Sequence, residues 1–418
     1  MRMALAQQQL DLATASERLV EVDEFDGCPS FVLDVPETIP QLGYGSHQFF
    51  RYYGKFPSVV GAEIVRRHNA IGGAVLDCYA GCGTTLVEAQ HEGHRSYGVD
   101  LSPLAVLACN VKTTYNDGAT LRVLREEVLK AAQLAKAASD TPMPTSMTSA
   151  KLDKWFLPAA QQELAALRSA LSALPAGIDR EFLVLAFLGI VRRVSTAFDG
   201  EVRPHVNPKK RPRSPFEAFA RKTNQMIASL DEVETLRPAS VFSRTCVGDN
   251  RDPAVYDSLM QAERAGLLVA HPPYLNSFNY LQVFSLEFAW SEGLPDVWGA
   301  CEFSPRELRT REHRAWPATD ADLVTSYYDD FRTTISAASA VLDTGGRVAV
   351  VIGDATIRGQ LEPVHQRFWT ILKDLGLSPV EIWFRTTHYG IGKYAYSHRA
   401  DYHGAADKRD AIMFFERP

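Results

Sequence analysis

A histidine, two prolines and a tyrosine stand in a row at positions 271–274, directly after the apolar run GLLVA. Adjacent prolines fix φ and remove two backbone donors, so a strand must stop there and turn its carbonyls to a ligand. A neutral imidazole accepts a hydrogen bond through one ring nitrogen, and an aromatic ring can cover a flat base. His271, Pro272, Pro273 and Tyr274 are therefore the candidate catalytic residues. The carbonyls of this loop would face a ligand, and the Tyr274 ring would cover it. A rigid loop around a packed tyrosine would show the same four residues.

Upstream, LDCYAGCGTT (76–85) ends an apolar run in a glycine turn and opens a helical one. Gly81 and Gly83 let backbone pass close to a ligand, and the helix start beside Thr84 and Thr85 offers unpaired N–H groups. A nucleotide-type cofactor suits such a turn, although G-x-G alone also suits NAD or a bare tight turn. Asp100 follows at the end of the next apolar run, where a carboxylate can hold ribose hydroxyls. The other use for an acid there is as an N-cap. Tyr79 and Leu101 flank these positions. Asp249, the next acid expected on that edge, would accept from an adenine amino group, and Asp77 would reach the cofactor indirectly.

These groups need a scaffold. The chain has 418 residues, 46% hydrophobic and 22% charged, the balance of an ordinary soluble globular protein. It has no apolar run of membrane length and no secretory signal. Its cysteines, Cys28, Cys78, Cys82, Cys109, Cys246 and Cys301, lack zinc spacing. A reduced, cytoplasmic protein without a metal or a membrane partner is expected. Strand-like runs occupy 74–80, 95–100, 243–249, 266–274, 346–354, 379–385 and 411–417, with helical stretches between most of them. That pattern is α/β, a doubly wound, mostly parallel seven-stranded sheet. Residues 119–240 break the alternation as a mainly helical insertion. The expected division is 1–40 an N-terminal extension without clean periodicity, 41–118 the first part of the catalytic domain, 119–240 a candidate target-recognition region, and 241–418 the second part.

A net charge of −6 does not announce a nucleic-acid partner, but RPHVNPKKRPR (203–213) concentrates Arg203, Lys209, Lys210, Arg211 and Arg213. Such a cluster can neutralise several phosphates, and it can equally be a solvated loop. Asn276, with Ser277 and Asn279, would touch base or backbone. The basic, aromatic segment 385–399 would be a DNA-facing loop or a surface loop.

Three ordered segments resemble motifs of the S-adenosylmethionine-dependent DNA amino-methyltransferases. LDCYAGCGTTLVEA resembles the family's cofactor motif, HQFFRYYGKFPSVV the His-aromatic-Lys-Phe-Pro element before it, and AHPPYLNSFNY the catalytic motif; the second resemblance implies that Lys55 and Phe56 line the methionine end of the cofactor. KRDAIMFFER is similar to the closing antiparallel strand. The resemblance spans both ends of the catalytic domain and leaves 119–240 unmatched. It implies a Rossmann-like methyltransferase sheet, S-adenosyl-L-methionine as cofactor, and methyl transfer to cytosine N4 or adenine N6. The LNSFNY extension is closest to cytosine-N4 members. Double-stranded DNA with the target base flipped is implied as partner, and a restriction or defence partner would fit such a system. Adenine-N6 methylation, RNA or protein-glutamine methylation, and an inactive DNA-binding homologue stand as alternatives. The resemblance implies that His271 and the Pro272 carbonyl accept from the target amine and that Tyr274 stacks on the base; the departure is His271, because the family places Asp, Asn or Ser there. No Pro-Cys dipeptide occurs, which sets aside cytosine C5 chemistry.

Overall fold

The computed structural model describes residues 18–35, 37, 41–114, 116–138, 141–238, 240–275, 279–294, 320–357, 360–386 and 409–418. Strands β1 (Leu19–Phe25), β2 (Cys28–Leu33), β3 (Ala74–Asp77), β4 (Ser96–Asp100), β5 (Ser243–Val247), β6 (Ala265–Ala270), β7 (Leu342–Gly353), β10 (Ser378–Thr386) and β11 (Arg409–Glu416) form one sheet. Its order is β1-β2-β10-β11-β7-β6-β3-β4-β5, and β8 (Ala355–Ile357) with β9 (Gln360–Glu362) make a separate hairpin. From β7 through β5 all neighbours are parallel, and β11 runs antiparallel to both β7 and β10. All seven expected strands are present in this Rossmann-like sheet.

Two further strands correct the reading of the first forty residues. β1 and β2 pair as an antiparallel hairpin, and β2 adds parallel to β10. Their turn carries Asp26 and Gly27 at φ of 50° and 76°, the conformation that an Asp-Gly pair favours between strands. Trp369 Nε1 and Lys373 Nζ both donate to Asp26 at 2.7 Å and fasten the hairpin. Periodicity is weak because β1 is an edge strand with five of its seven residues exposed.

The helices are α1 (Ser58–His68), α2 (Thr84–His91), α3 (Pro103–Thr113), α4 (Gly118–Ala138), α5 (Ser149–Trp155), α6 (Pro158–Ser172), α7 (Ile178–Val194), α8 (Pro215–Ala228), α9 (Leu230–Leu236), α10 (Pro253–Met260), α11 (Tyr280–Val283), α12 (Ser285–Ser291), α13 (Asp320–Ser339) and α14 (Val364–Asp374). Alternate residues of each central strand face opposite layers. Leu268, Val350 and Met413 pack with α10, α13 and α14, whereas Val269, Val351 and Ile412 pack with α1. Full burial of each such side chain contributes about 1.5–3 kcal/mol, which makes the sheet a rigid base for its loops.

Helices α4–α9 fill the region expected to be helical. At their centre α7 is apolar nearly all round, with Phe182 through Leu188 at most 1% exposed. A helix of that kind must be surrounded. Its core is continuous with α3, Phe49, Phe50 and α12, so the helical block leans on the half of the molecule that carries the glycine turn. Among the described residues no helix is long and apolar enough to cross a membrane.

Candidate active site

β3 and β6 are parallel neighbours, with Asp77 opposite Val269. The glycine turn after β3 and the His271 loop after β6 therefore open on the same sheet edge. Gly81 and Gly83 adopt φ of 51° and 79°. A Cβ on Gly83 would stand 3.0 Å from Cys109 Sγ and 3.3 Å from Cys109 Cα, so conformation and packing both require glycine there. Asp100 closes the turn: Oδ2 accepts from the Gly81 N–H and Oδ1 from the Ser102 N–H, each at 2.8 Å. The N-cap of α3 is Ser102, which leaves Asp100 as the anchored strand-end acid beside Leu101.

Asp77 is buried and accepts from the Tyr79 N–H at 3.0 Å. Burial lifts its pKa to about 6, opposed by the adjacent Thr85 hydroxyl and that N–H. Asp77 thus braces the turn from inside, and the Tyr79 ring packs into the core beneath it. The Thr84 hydroxyl is buried in the first turn of α2 without a regular hydrogen-bond partner. Asp249 is held by a neighbour. Its two oxygens take Nε and Nη2 of Arg251 at 2.8 Å each, and Arg251 Nη1 reaches Asp330 of α13 at 2.8 Å. A fork of this kind fixes the orientation of the carboxylate and leaves lone pairs for a further donor.

The segment before α1 supplies the near wall. Phe56 is buried, and its ring meets His271 edge-on with centroids 5.1 Å apart. Lys55 is open to solvent on one side and donates to the His47 carbonyl at 3.1 Å. The protein crowded around it and the charge of Lys112 hold its pKa below the usual value. Lys112, buried on α3, donates to the Cys82 carbonyl at 2.8 Å. Beneath them Glu88 of α2 accepts from the Tyr44 hydroxyl at 2.6 Å and lies 2.5 Å from His47 Nε2 and 3.5 Å from His91 Nδ1. His47, Glu88 and His91 are close enough to ligate a metal ion. Their contacts already pair with one another, which suits a buried hydrogen-bond network locking residues 44–48 onto α2.

His271 follows β6 immediately, and its Nε2 lies 3.4 Å from the Tyr274 hydroxyl. Burial, and then the charge of Arg385, depress its pKa to about 3, so the ring is neutral near pH 7 and able to accept. Tyr274 was expected to stack on a base, and one edge of its half-buried ring lies against Gly353 of β7. A Cβ at Gly353 would stand 2.8 Å from Tyr274 Cε2 and 3.0 Å from Asp410 Oδ1. Beside it Asp410 pairs with Arg385, both of them 5% exposed. Tyr327 of α13 donates to the Pro273 carbonyl at 2.9 Å, which leaves the Pro272 carbonyl as the candidate backbone acceptor. Asn276 and Ser277 lie outside the described residues, as does 387–399 of the basic aromatic segment. Asn279 caps α11, accepting from the Gln282 N–H at 3.0 Å.

The basic segment divides. Lys210 donates to the carbonyls of Arg192 and Ala197 and to Asp199 at 3.0, 2.7 and 2.8 Å. Its ammonium caps the end of α7 and does not serve as an open phosphate contact. Lys209, Arg211 and Arg213 are exposed, and Arg203 is half-buried. Residues that sequence reasoning missed are Tyr44, His47, Glu88, Tyr327, Arg385 and Asp410. His47, Glu88 and Asp410 carried a signal, since all three fall inside the motif segments, and Arg385 opens the basic aromatic segment.

No family model matches the chain. Over 95 residues, 22% of its length, it is 32% identical to the type II methyltransferase M.MjaII of Methanocaldococcus jannaschii, and it spans 18% of that protein. Among solved structures, the rRNA methyltransferase aviRa of Streptomyces viridochromogenes aligns at 12% identity, covering 87% of this chain and 88% of aviRa with a TM-score of 0.31. The glycopeptide N-methyltransferase MtfA complexed with sinefungin aligns at 9% identity, covering 88% and 96%, with a TM-score of 0.28. Over one short stretch, then, the chain is similar to a type II methyltransferase.

Proposed function

We propose that this protein is an S-adenosylmethionine-dependent methyltransferase acting on an exocyclic amine of a nucleic-acid base, with cytosine N4 in DNA as the target. One juxtaposition carries the reading: the glycine turn with Asp100 and the His271-Pro272-Pro273-Tyr274 loop end adjacent parallel strands on one edge. Open α/β sheets bind ligands along that edge. The turn suits the cofactor, because the Thr84 hydroxyl is buried without a regular partner at a helix start and Lys55 and Lys112 set positive charge beside it. Gly81, Gly83, Thr84 and Thr85 would cradle it, with Asp77 and Tyr79 bracing the cradle. Asp100 and Leu101 would meet the ribose, and Lys55 and Phe56 the methionine end. Bound there, S-adenosylmethionine supplies an electrophilic methyl group.

The chain's own contribution is to make a poor nucleophile competent. The lone pair of an exocyclic amine is delocalised into its ring. His271 and the Pro272 carbonyl accept from the two N–H groups and draw the nitrogen towards tetrahedral geometry. Holding the amine in line with the methyl supplies much of the rate. No covalent enzyme intermediate is required, and the surplus proton leaves the product nitrogen to solvent. A base inside a duplex cannot reach this edge, so the target is flipped out. The helical block of 119–240, with Lys209, Arg211 and Arg213, would supply phosphate contacts and target recognition.

Incubation with methyl-labelled cofactor and separate DNA, RNA and protein acceptors, followed by nucleoside mass spectrometry, tests this. N4-methylcytosine supports the proposal, whereas N6-methyladenine keeps the mechanism and changes the base. Label in RNA or protein alone discards the DNA target. No label despite measurable cofactor binding discards the activity.

A further inference from the structure

We infer that the hairpin of residues 197–206 is a nucleic-acid contact in which the Phe198 ring stacks on an unstacked base. The inference rests on the nucleic-acid part of the reading above and adds a residue that meets a base beside the phosphate contacts.

The hairpin is held from outside. Ala197 pairs with Val206 in one antiparallel bridge, and the Phe198 N–H donates to the His205 carbonyl at 2.9 Å. So short a ladder leaves carbonyls to be satisfied, and neighbouring side chains supply the donors. Arg51 donates to the Asp199 carbonyl. Arg192 of α7 reaches the carbonyls of Glu201 and Val202 at 3.0 and 2.8 Å, and the Tyr53 hydroxyl reaches that of Glu201 at 2.8 Å. Lys210 takes the Ala197 carbonyl and the Asp199 carboxylate at 2.7 and 2.8 Å. Arg192 is itself 6% exposed, so the frame is fixed from the core. The same bonds tie the hairpin to residues 51–53, the strip that leads into Phe56 and its contact with His271.

What this frame presents is an aromatic ring in the open. Successive residues of an extended segment point to opposite sides. Ala197 is fully buried, and Phe198 beside it is 40% exposed. A single exposed apolar residue is ordinary, but this one stands among cations. Arg51 is exposed, Arg203 is half-buried, and Lys209 and Arg211, on either side of Lys210, are exposed. Of the hairpin's two acids, Asp199 is paired with Lys210, which leaves Glu201. The local surplus is therefore positive in a chain whose net charge is −6. Phosphates answer the cations and the face of a base answers the ring, the combination by which single strands are held. In an intact duplex those faces are covered, and flipping one base out uncovers the faces of its neighbours.

Fluorescence anisotropy of the full-length protein without cofactor, titrated with a labelled single-stranded oligonucleotide, an abasic duplex and an intact duplex, reads the contact. Phe198→Ala should weaken binding of the single strand and the abasic duplex about tenfold, as for one lost base–aromatic stack. Binding of the intact duplex should change little, and the logarithmic salt slope should not move, because no phosphate contact is lost. Phe198→Trp keeps a ring and guards against a folding defect. It should bind as tightly as wild type, and the emission it adds should be quenched by an unlabelled strand. An alanine variant that binds every probe like wild type, or added emission that bound strand leaves unquenched, overturns the inference. Equal weakening on all three probes with a lower Tm would show a structural role and overturn it too, as would a wild type that binds no nucleic acid. Binding is read without methyl transfer. Stacking by a chain that methylates nothing would sink the proposed activity and keep this contact, and methylated DNA with an indifferent Phe198 would do the reverse.

Discussion

The turn after β3 and the loop after β6 are neighbours in the sheet, yet they are built by opposite means. The first is a backbone device: two left-handed glycines, a strand-end carboxylate fastened to two N–H groups, and a helix start. The second is a side-chain device. The Tyr274 ring and hydroxyl, an ion pair from β10 and β11, a tyrosine from α13 and a phenylalanine from before α1 converge on His271 and its prolines. A backbone site recognises what its cofactors share. A side-chain site can be retuned one residue at a time, and there this chain carries a histidine where the family it resembles places an oxygen acceptor.

Two glycine substitutions test the separation most severely. Gly83→Ala forces a left-handed alanine against Cys109 and should weaken cofactor binding about 10- to 100-fold, the range expected for 1–3 kcal/mol of strain. Gly353→Ala, which drives a methyl into Tyr274 and Asp410, should cut methyl transfer by a similar factor while leaving cofactor affinity intact. Calorimetry with S-adenosylmethionine and a labelled-transfer assay read the two quantities. Equal loss of cofactor binding in both variants would erase the distinction.

His271→Ala removes the acceptor outright and should lower kcat by about 10²-fold, in line with the loss of one preorganised polar group, with cofactor affinity unchanged. His271→Asn restores an oxygen acceptor and should recover part of the rate. An asparagine variant no better than alanine would show that the ring does something other than accept.

Acidification should act on stability before it acts on chemistry. His271 and His47 are depressed to about 3 and about 4, each chiefly by burial. Below an unfolded pKa near 6.5 the unfolded chain binds more protons than the native one. Their stabilisation is therefore complete above about pH 6.5 and drains away as pH falls through the native values. Thermal melts should show Tm dropping over that interval, with a shallower slope in His271→Asn. Transfer by the still-folded enzyme should not show an acid limb at the usual histidine pKa.

The smallest effects belong to the basic segment. Replacing Lys209, Arg211 and Arg213 together by alanine should weaken DNA binding and reduce the logarithmic salt slope by about 2–3, with Tm unchanged. Lys210→Ala should do the converse, lowering stability by about 1 kcal/mol or more through three lost acceptor contacts without moving the salt slope.

Much of the backbone half was legible because its information is local. Gly81, Gly83 and Asp100 announce a turn and a strand-end acid within some twenty residues, and continuous apolar runs between helical stretches mark the sheet. The β1–β2 hairpin was legible in one place only, the Asp26-Gly27 pair, since an exposed edge strand has little hydrophobic pattern to display. Asp249 and Lys210 show the limit. Each matched a functional expectation by residue type and position, and each was already engaged, by Arg251 and by the end of α7.

What the sequence determined by itself is the order of the strands along the chain, the glycine turn, and a histidine in front of two prolines. Only the tertiary structure decided which atoms of that histidine are engaged. Its neighbours lie at 56, 274 and 385, and a hydrogen bond depends on where groups meet in space, not on how far apart they stand along the chain.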